Sequence, residues 1–411
     1  VQWLSLTRAI PIMQRRQSDQ TGISAMASFM LGLAMRAGPG NIVGVTGAIT
    51  VGGPGALFWM WVAALFGMAT AFMESVLAQL FKERKNSEYV GGLPFYGRRI
   101  MGNKRFVGIF LSLAFMTYAL FNVPVQTFNV FTAIGMIADT ATGTVSERQS
   151  PLYYSIALIM VASCAWLILG GIRRVTAYTN FLVPIKATVF CGISLLIVLI
   201  NFPLLPSFFG AVVTGAFSPD ALFGGAMGVA LAEGVRRGLM SNEAGQGTIT
   251  MAAAAADNNH PCEQGLVQSL GVFFDTIIIC TLTGFIVVLA HLWSDSASSA
   301  QWATDSASRI GTYLASVEAL VPAAMANTII IILAACYCLF AFTTLLGMIS
   351  FAEISANFIS RSDGFILTVR ILGSLVFVPF GALTVLAGLE LGNLWTITDL
   401  TNIIMVYLNI P

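Results

Sequence analysis

The chain has 411 residues, of which 57% are hydrophobic and only 9% are charged, and its mean hydropathy is +0.83. Soluble domains carry about 25% charged residues, so this composition argues against a soluble fold. Twenty Lys and Arg residues balance nineteen Asp and Glu residues, which gives no basic surface for a nucleic-acid partner. The chain is therefore interpreted as one all-α integral membrane protein that contacts the lipid bilayer.

Hydropathy divides the chain into a leading segment and a series of apolar runs. Residues 1–22 are predicted to form a cytoplasmic amphipathic segment. About ten transmembrane spans follow, each long enough to cross the hydrocarbon core. We place them at residues 23–50, 55–81, 107–137, 152–170, 178–201, 221–241, 265–292, 324–358, 364–380 and 381–411.

The distribution of positive charge predicts the topology. Lys and Arg residues concentrate before span one and between spans two and three, four and five, and eight and nine. Short loops that are rich in Lys and Arg stay in the cytoplasm. The residues before span one are therefore predicted to be cytoplasmic, and the 293–322 loop is predicted to be external.

Span one contains the most informative motif, Gly-Pro-Gly-Asn at residues 38–41. Glycine is a poor helix former, and proline removes a backbone donor and clashes with the carbonyl four residues earlier. In a bilayer the backbone groups freed by such a break must be satisfied within the protein, so the break is expected to line a cavity or an ion site. A packing site for small residues is the alternative interpretation.

Spans one to five and six to ten have similar layouts, at residues 23–201 and 202–411. An odd number of spans in each half inverts the second half relative to the first, which is the inverted-repeat plan. Span six is therefore predicted to be broken as well, and Gly225 and Gly228 are assigned to substrate binding. Residues 241–245 would form an inner loop or gate, or the segment would unwind in mid-membrane and continue to Ala256.

The break in span one offers free N–H groups to an anion and free carbonyls to a small cation. Thr343 and Thr344 in span eight offer hydroxyl oxygens to sodium, although a threonine in a membrane helix often bonds the carbonyl four residues earlier. Gln126 in span three can orient a polar ligand or tie two helices together.

Ionisable residues at membrane depth are functional candidates by default. They are Arg36, Glu74, Glu233, Glu243, Asp275 and Glu353. Arg36 is expected to pair with a carboxylate such as Glu74 or Glu243, and a static ion pair is an equally good interpretation. The sequence contains no nucleophile–base pair, phosphate loop or zinc motif, so we expect no enzyme activity and no cofactor.

Several motifs resemble those of the alanine or glycine:cation symporter family, the sodium:alanine symporters. They are Gly-Gly-Pro-Gly-Ala at residues 52–56, Gly-Pro-Gly-Asn at 38–41, Tyr-Val-Gly-Gly at 89–92, Ser-Asn-Glu-Ala-Gly at 241–245 and Phe-Thr-Thr at 342–344. The resemblance extends over nearly the whole chain. It implies a five-plus-five inverted-repeat transporter of the LeuT type, with helices one and six discontinuous.

The resemblance further implies import of a small neutral amino acid, alanine or glycine, with sodium as the coupling ion. The substrate would contact the backbone of Gly38 and Gly40 and the side chains of Asn41 and Gln126. By analogy with the wider fold, sodium would bind Thr343 and Thr344 together with carbonyls near Ala34 and Ala37. The expected location is the plasma membrane of a prokaryote, the inner membrane in a Gram-negative cell, and the expected state is a monomer.

Departures from the family pattern leave alternatives open. Pro39 stands where the family usually has Thr, and Met348, which is assigned to the substrate pocket, stands where it usually has Trp. These differences favour two alternatives, proton coupling or another neutral amino acid such as glutamine. A membrane solute sensor without transport is a further alternative. Relative to the family, the chain is expected to be truncated at both ends.

Overall fold

A computed structural model gives the structure of the chain. It describes residues 1–15, 22–85, 88–143, 149–217, 226–291, 306–387 and 392–409. Their secondary structure is almost entirely helical, which agrees with the predicted all-α class. The one described sheet is a short antiparallel hairpin of β1 (Glu83–Lys85) and β2 (Glu88–Val90).

The helices are numbered here in chain order. Those of the first part are α1 (Gln2–Met13), α2 (Ala25–Arg36), α3 (Val43–Gly52), α4 (Gly55–Leu80), α5 (Leu93–Ile100), α6 (Arg105–Thr142), α7 (Pro151–Leu169) and α8 (Ile172–Ile200). Those of the second part are α9 (Leu205–Phe217), α10 (Ala226–Asn242), α11 (Thr248–Ala255), α12 (Pro261–Ala290), α13 (Ser306–Leu320), α14 (Ala323–Ile359), α15 (Asp363–Leu386) and α16 (Gly392–Asn409).

Seven of the described helices are long and apolar enough to cross a membrane. They are α4, α6, α7, α8, α12, α14 and α15. The first predicted span is divided between α2 and α3. The sixth, predicted at 221–241, ends with α10, and the helix resumes as α11 at Thr248, so the prediction that helices one and six are discontinuous is confirmed. The count of ten spans stays a prediction.

Among the differences between the sequence-based boundaries and the structure, two concern spans nine and ten and the 293–322 segment. The predicted division between spans nine and ten at residue 380 lies inside α15. A π-helical turn at Leu372–Phe377 precedes Pro379, and its wider geometry lets the helix pass the proline. The second difference is α13, a helix within the 293–322 segment, which is predicted as a loop.

The glycine-rich motif after α3 allows close packing between elements. A Cβ atom on Gly55 would lie 2.3 Å from the carbonyl carbon of Gly215, and one on Gly234 would lie 2.4 Å from the carbonyl oxygen of Ala56. Only glycine fits at such distances, so α4 packs directly against the backbones of α9 and α10. This contact places α10, the first half of the sixth span, beside the second span.

Candidate functional site

The first discontinuity lies between α2 and α3. Helix α2 begins at the Ser24 cap, whose hydroxyl accepts from the N–H of Ala27, and ends at Arg36. A single tight turn at Pro39–Asn41 follows, and α3 begins at Val43. The proline cannot donate to the preceding turn, so the helix stops there.

The second discontinuity lies between α10 and α11, at residues 243–247. Glu243, Gly245 and Gly247 all have positive φ angles, and that of Glu243 is 55°, which is unusual for a residue with a side chain. The N–H of Gly245 donates to the Glu74 carboxylate at 3.3 Å. Of the two predicted arrangements, the structure has the second, in which the segment unwinds and continues as a helix to Ala255.

A cavity lies against both discontinuities. Four of the residues assigned to substrate from the sequence line it, namely Gly38, Gly40, Gln126 and Met348. Gly40 is the most open of them, because no atom lies within 4 Å of the position that its Cβ would occupy. A ligand can therefore approach the backbone of the first discontinuity at Gly40.

Three other residues assigned to substrate do not line this cavity. Asn41 is fully buried behind the turn, where its Oδ1 accepts from the N–H of Gly38 at 3.3 Å. Gly228 is exposed in the first turn of α10, fourteen residues before Asn242 at the end of that helix, which is too far to contact a ligand at the discontinuity. Gly225 lies outside the described residues.

One guanidinium group and one carboxylate group at the cavity, those of Arg36 and Glu243, have atoms without hydrogen-bond partners. Arg36 is buried, its Nε donates to the Asn242 carbonyl at 3.2 Å, and both of its Nη atoms lack a partner. Glu243 is also buried, and its Oε2 lacks a partner. The expected ion pair of Arg36 with Glu74 or Glu243 is absent from the described residues. Arg36 interacts with these two carboxylates only at longer range, without direct contact.

Other ionisable candidates form static ion pairs. Glu353 on α14 accepts two hydrogen bonds from the guanidinium of Arg370, at 2.8 Å and 2.6 Å. Glu233 lies 3.4 Å from Arg236 on the next turn of α10, and Arg236 also contacts Asp399 of α16. These contacts hold helices together, and Glu233 and Asp399 also pair with Arg237, which lines the cavity.

The oxygens predicted to bind sodium are bonded to the ammonium of Lys186. This lysine is fully buried on α8, and its Nζ donates to the Ala37 carbonyl at 2.8 Å, to the Ala34 carbonyl at 3.5 Å and to the hydroxyl of Thr343. Thr344 lies beside them, with Oγ1 3.4 Å from the Ala34 carbonyl. Ala34, Ala37, Thr343 and Thr344 therefore lie together, but the ammonium group of Lys186 lies among them.

The alternative interpretation of the two threonines also holds. Thr343 Oγ1 lies 2.9 Å from the Leu339 carbonyl, and Thr344 Oγ1 lies 2.9 Å from the Phe340 carbonyl, each four residues earlier on α14. A hydroxyl group donates one hydrogen bond and still accepts others. Each threonine can therefore bond its own helix and turn an oxygen toward α2.

Asp275 does not line the cavity and contacts the first discontinuity through Asn41. It is fully buried in the π-helical part of α12, Phe273–Ile279. Its Oδ1 accepts from Asn41 Nδ2 at 2.6 Å, and its Oδ2 accepts from the hydroxyls of Ser241 at 2.6 Å and Thr276 at 3.1 Å. The carboxylate thus joins both broken spans to α12.

The inner ends of the broken spans are bonded to each other. The N–H of Ile23 donates to the Ala255 carbonyl at 3.0 Å, and the N–H of Asp257 donates to the Ile23 carbonyl at 2.9 Å. Lys82, beyond the end of α4, donates to the Ala256 carbonyl at 2.6 Å. Burial lowers the pKa of Lys82 to about 8, against the raising effect of Asp257.

Comparison with known proteins gives consistent matches over most of the chain. The sequence model of the sodium:alanine symporter family matches residues 1–411. The chain is 34% identical to the "Probable sodium/glutamine symporter GlnT" of Bacillus subtilis over 95% of this chain and 76% of that protein. It is 35% identical to the "Sodium/alanine symporter AgcS" of Methanococcus maripaludis over 70% of this chain and 63% of that protein.

Solved structures of low sequence identity share the fold. A mutant of the manganese transporter of Eremococcus coleocola aligns with a TM-score of 0.62 at 12% identity, over 94% of this chain and 77% of the other. MhsT in complex with L-phenylalanine aligns with a TM-score of 0.58 at 13% identity, over 96% of this chain and all of the other. These likenesses confirm the predicted LeuT-type transporter fold.

Proposed function

Because this chain belongs to the sodium:alanine symporter family, we propose that it imports a small neutral amino acid, alanine or glycine, together with sodium by alternating access. Its family membership makes it a multi-pass membrane transporter, not an enzyme, and supports cation-coupled amino-acid symport. The identity of the amino acid, the coupling to sodium, the monomeric state and the prokaryotic plasma membrane are proposals.

The observation that carries the proposal is the cavity between the two discontinuities. An amino acid is a zwitterion, and the cavity wall contains a buried cation, Arg36, and a buried carboxylate, Glu243, each with unpartnered atoms. A second buried cation of the wall, Arg237, is paired with Glu233 and Asp399. Buried charges without partners are costly, so a ligand that supplies both opposite charges is stabilised there. Gly40 offers its backbone to the carboxylate of the same ligand.

The walls of the cavity favour a small substrate. Met348 and Met35 occupy part of the lining, and Gln126 supplies an amide at the other wall. The Gln126 carbonyl oxygen accepts from Asn129 at 3.4 Å, which orients the side chain. We infer that a methyl or hydrogen side chain fits beside these groups more readily than a glutamine side chain.

The proposal is tested by uptake into proteoliposomes with an inward sodium gradient. We expect radiolabelled alanine or glycine to accumulate, and to accumulate no further than equilibrium when potassium replaces sodium. Uptake unaffected by the removal of sodium would reject the coupling. A parallel thermal-stability panel of alanine, glycine and glutamine identifies the substrate, because a ligand stabilises the folded state in proportion to ln(1 + [L]/Kd).

Proton coupling is the second candidate, and the position of Lys186 favours it. An ammonium among the oxygens predicted for sodium can supply the cation that the site requires. A relative from Bacillus subtilis, 33% identical over 87% of this chain and 71% of that protein, is named "Putative sodium/proton-dependent alanine carrier protein YrbD". Alanine uptake driven by a pH gradient in the absence of sodium would support this candidate. Ligand binding without counterflow in sealed vesicles would instead support a sensor.

A further inference from the structure

The ammonium of Lys186 makes the oxygens of Ala34, Ala37 and Thr343 unsuitable for a second cation. The ammonium lies 2.8 Å from the Ala37 carbonyl oxygen, which is a hydrogen-bond distance. A sodium ion at the same oxygen would have to displace the ammonium. Lys186 is covalently part of the scaffold helix α8, so this charge cannot leave with the substrate. A sodium ion that is transported must bind elsewhere.

Asp275 offers oxygen ligands that suit a hard cation. Besides its own carboxylate, the hydroxyls of Ser241 and Thr276 lie within 3.1 Å of Oδ2, and the amide of Asn41 lies 2.6 Å from Oδ1. Each hydroxyl oxygen has lone pairs that can turn to an ion. The Asn41 amide can present its oxygen by rotation, which gives up its bond from the N–H of Gly38. All four residues are buried.

The buried charges around Asp275 do not balance. Arg36 and Lys186 interact electrostatically with Asp275, and Glu243 and Glu74 interact with Arg36. With every group ionised, these five groups comprise two cations and three carboxylates, an excess of one negative charge. Uncompensated charge is unfavourable at membrane depth. One monovalent cation makes the group neutral, a divalent cation does not, and a zwitterionic substrate leaves the count unchanged.

The local backbone connects this place to the substrate cavity. Asn41, which contacts Asp275, is adjacent in the chain to Gly40, which lines the cavity. Asp275 itself lies in a π-helical segment, a feature that is frequent at functional sites. An ion held by Asp275 and Asn41 would fix the turn to which the amino acid binds.

We propose that the coupling sodium ion binds at Asp275, with oxygen ligands from Ser241, Thr276 and Asn41, and that Lys186 is a fixed cation in the place predicted for sodium. This inference rests on the proposed sodium-coupled symport. The proposed ion site lies where the two broken spans meet α12. Sodium binding thereby orders the first discontinuity for the substrate.

The test measures alanine uptake in proteoliposomes as a function of sodium concentration. Asp275→Asn removes the charge and is expected to raise the half-saturating sodium concentration about tenfold or more, the effect of losing one charged ligand. Ser241→Ala removes one neutral ligand and is expected to raise it about threefold to tenfold. Glu318→Gln, an exposed carboxylate on α13, is the matched control and is expected to change nothing.

Each outcome separates the inference from the proposed function. Unaltered sodium dependence in both Asp275→Asn and Ser241→Ala would overturn the inference while leaving sodium coupling intact. Wild-type uptake that does not require sodium would reject the coupling itself. If Asp275→Asn fails to fold, Ser241→Ala alone decides. Uptake by Lys186→Met that shows tighter sodium binding, with Asp275→Asn unchanged, would return the ion to the Thr343 site.

Discussion

Gly40 gives the sharpest prediction about the cavity, because its replacement separates stability from binding. A Cβ at Gly40 meets no atom within 4 Å, and the residue has no positive φ angle. Gly40→Ala is therefore accommodated without strain. The loss of backbone freedom in the unfolded chain is expected to stabilise the fold by about 0.4–1 kcal/mol.

The same methyl group projects into the space where the substrate approaches the backbone of Gly40. It is expected to displace the substrate carboxylate from one backbone N–H group. A hydrogen bond to a charged group is worth about 1.5–3 kcal/mol, which corresponds to about a 10- to 150-fold loss of affinity. Stability and affinity should thus change in opposite directions.

Two assays check this prediction. The first is thermal unfolding of the purified protein in detergent, and the second is the concentration dependence of alanine uptake into proteoliposomes. Gly192→Ala on α8 is the matched control, because its Cβ also meets no atom within 4 Å and the residue is exposed away from the cavity. The control should gain stability with an unchanged KM. An unchanged KM in Gly40→Ala would refute the placement of the substrate against the first discontinuity.

Three further predictions follow from buried polar contacts. Asn41→Ala removes the amide that holds Asp275 at 2.6 Å, so initial alanine uptake should fall about tenfold; unchanged uptake would clear Asn41 of a role at the site. Glu243→Gln removes the unpartnered carboxylate from the cavity, so the KM for alanine should rise while cell-surface abundance stays normal. Arg370→Met leaves Glu353 buried without its two charged bonds and should destabilise the fold by about 3 kcal/mol, with partial recovery in the double variant with Glu353→Gln, as measured by thermal unfolding.

The discontinuity in the first span could be predicted from the sequence because its signal is local. Two glycines and a proline within four residues break an apolar run wherever it is packed. The discontinuity in the sixth span was predicted to exist but not placed. Glycines occur throughout that span, and the unwound segment begins at Glu243, whose φ of 55° is imposed by its surroundings and not by its residue type.

The cation of Lys186 was missed, although a signal was present. A single lysine in the apolar run of α8 marks a buried charge, and such residues are functional candidates in membranes. Its acceptors, Ala37 and Thr343, lie 149 and 157 positions away in the chain. Tertiary packing alone brings Lys186 to these acceptors. The family pattern of threonines and carbonyls therefore led to a predicted sodium ion at the position of the Lys186 ammonium.

The central claim is that an amino acid and sodium bind together around the first discontinuity, and equilibrium binding of radiolabelled alanine to the purified protein tests it most directly. Coupled sites change each other's affinity by the same factor. We predict that replacing potassium with sodium lowers the Kd for alanine about tenfold or more, which is about 1.4 kcal/mol of coupling. An alanine Kd that is identical in the two salts would contradict the account.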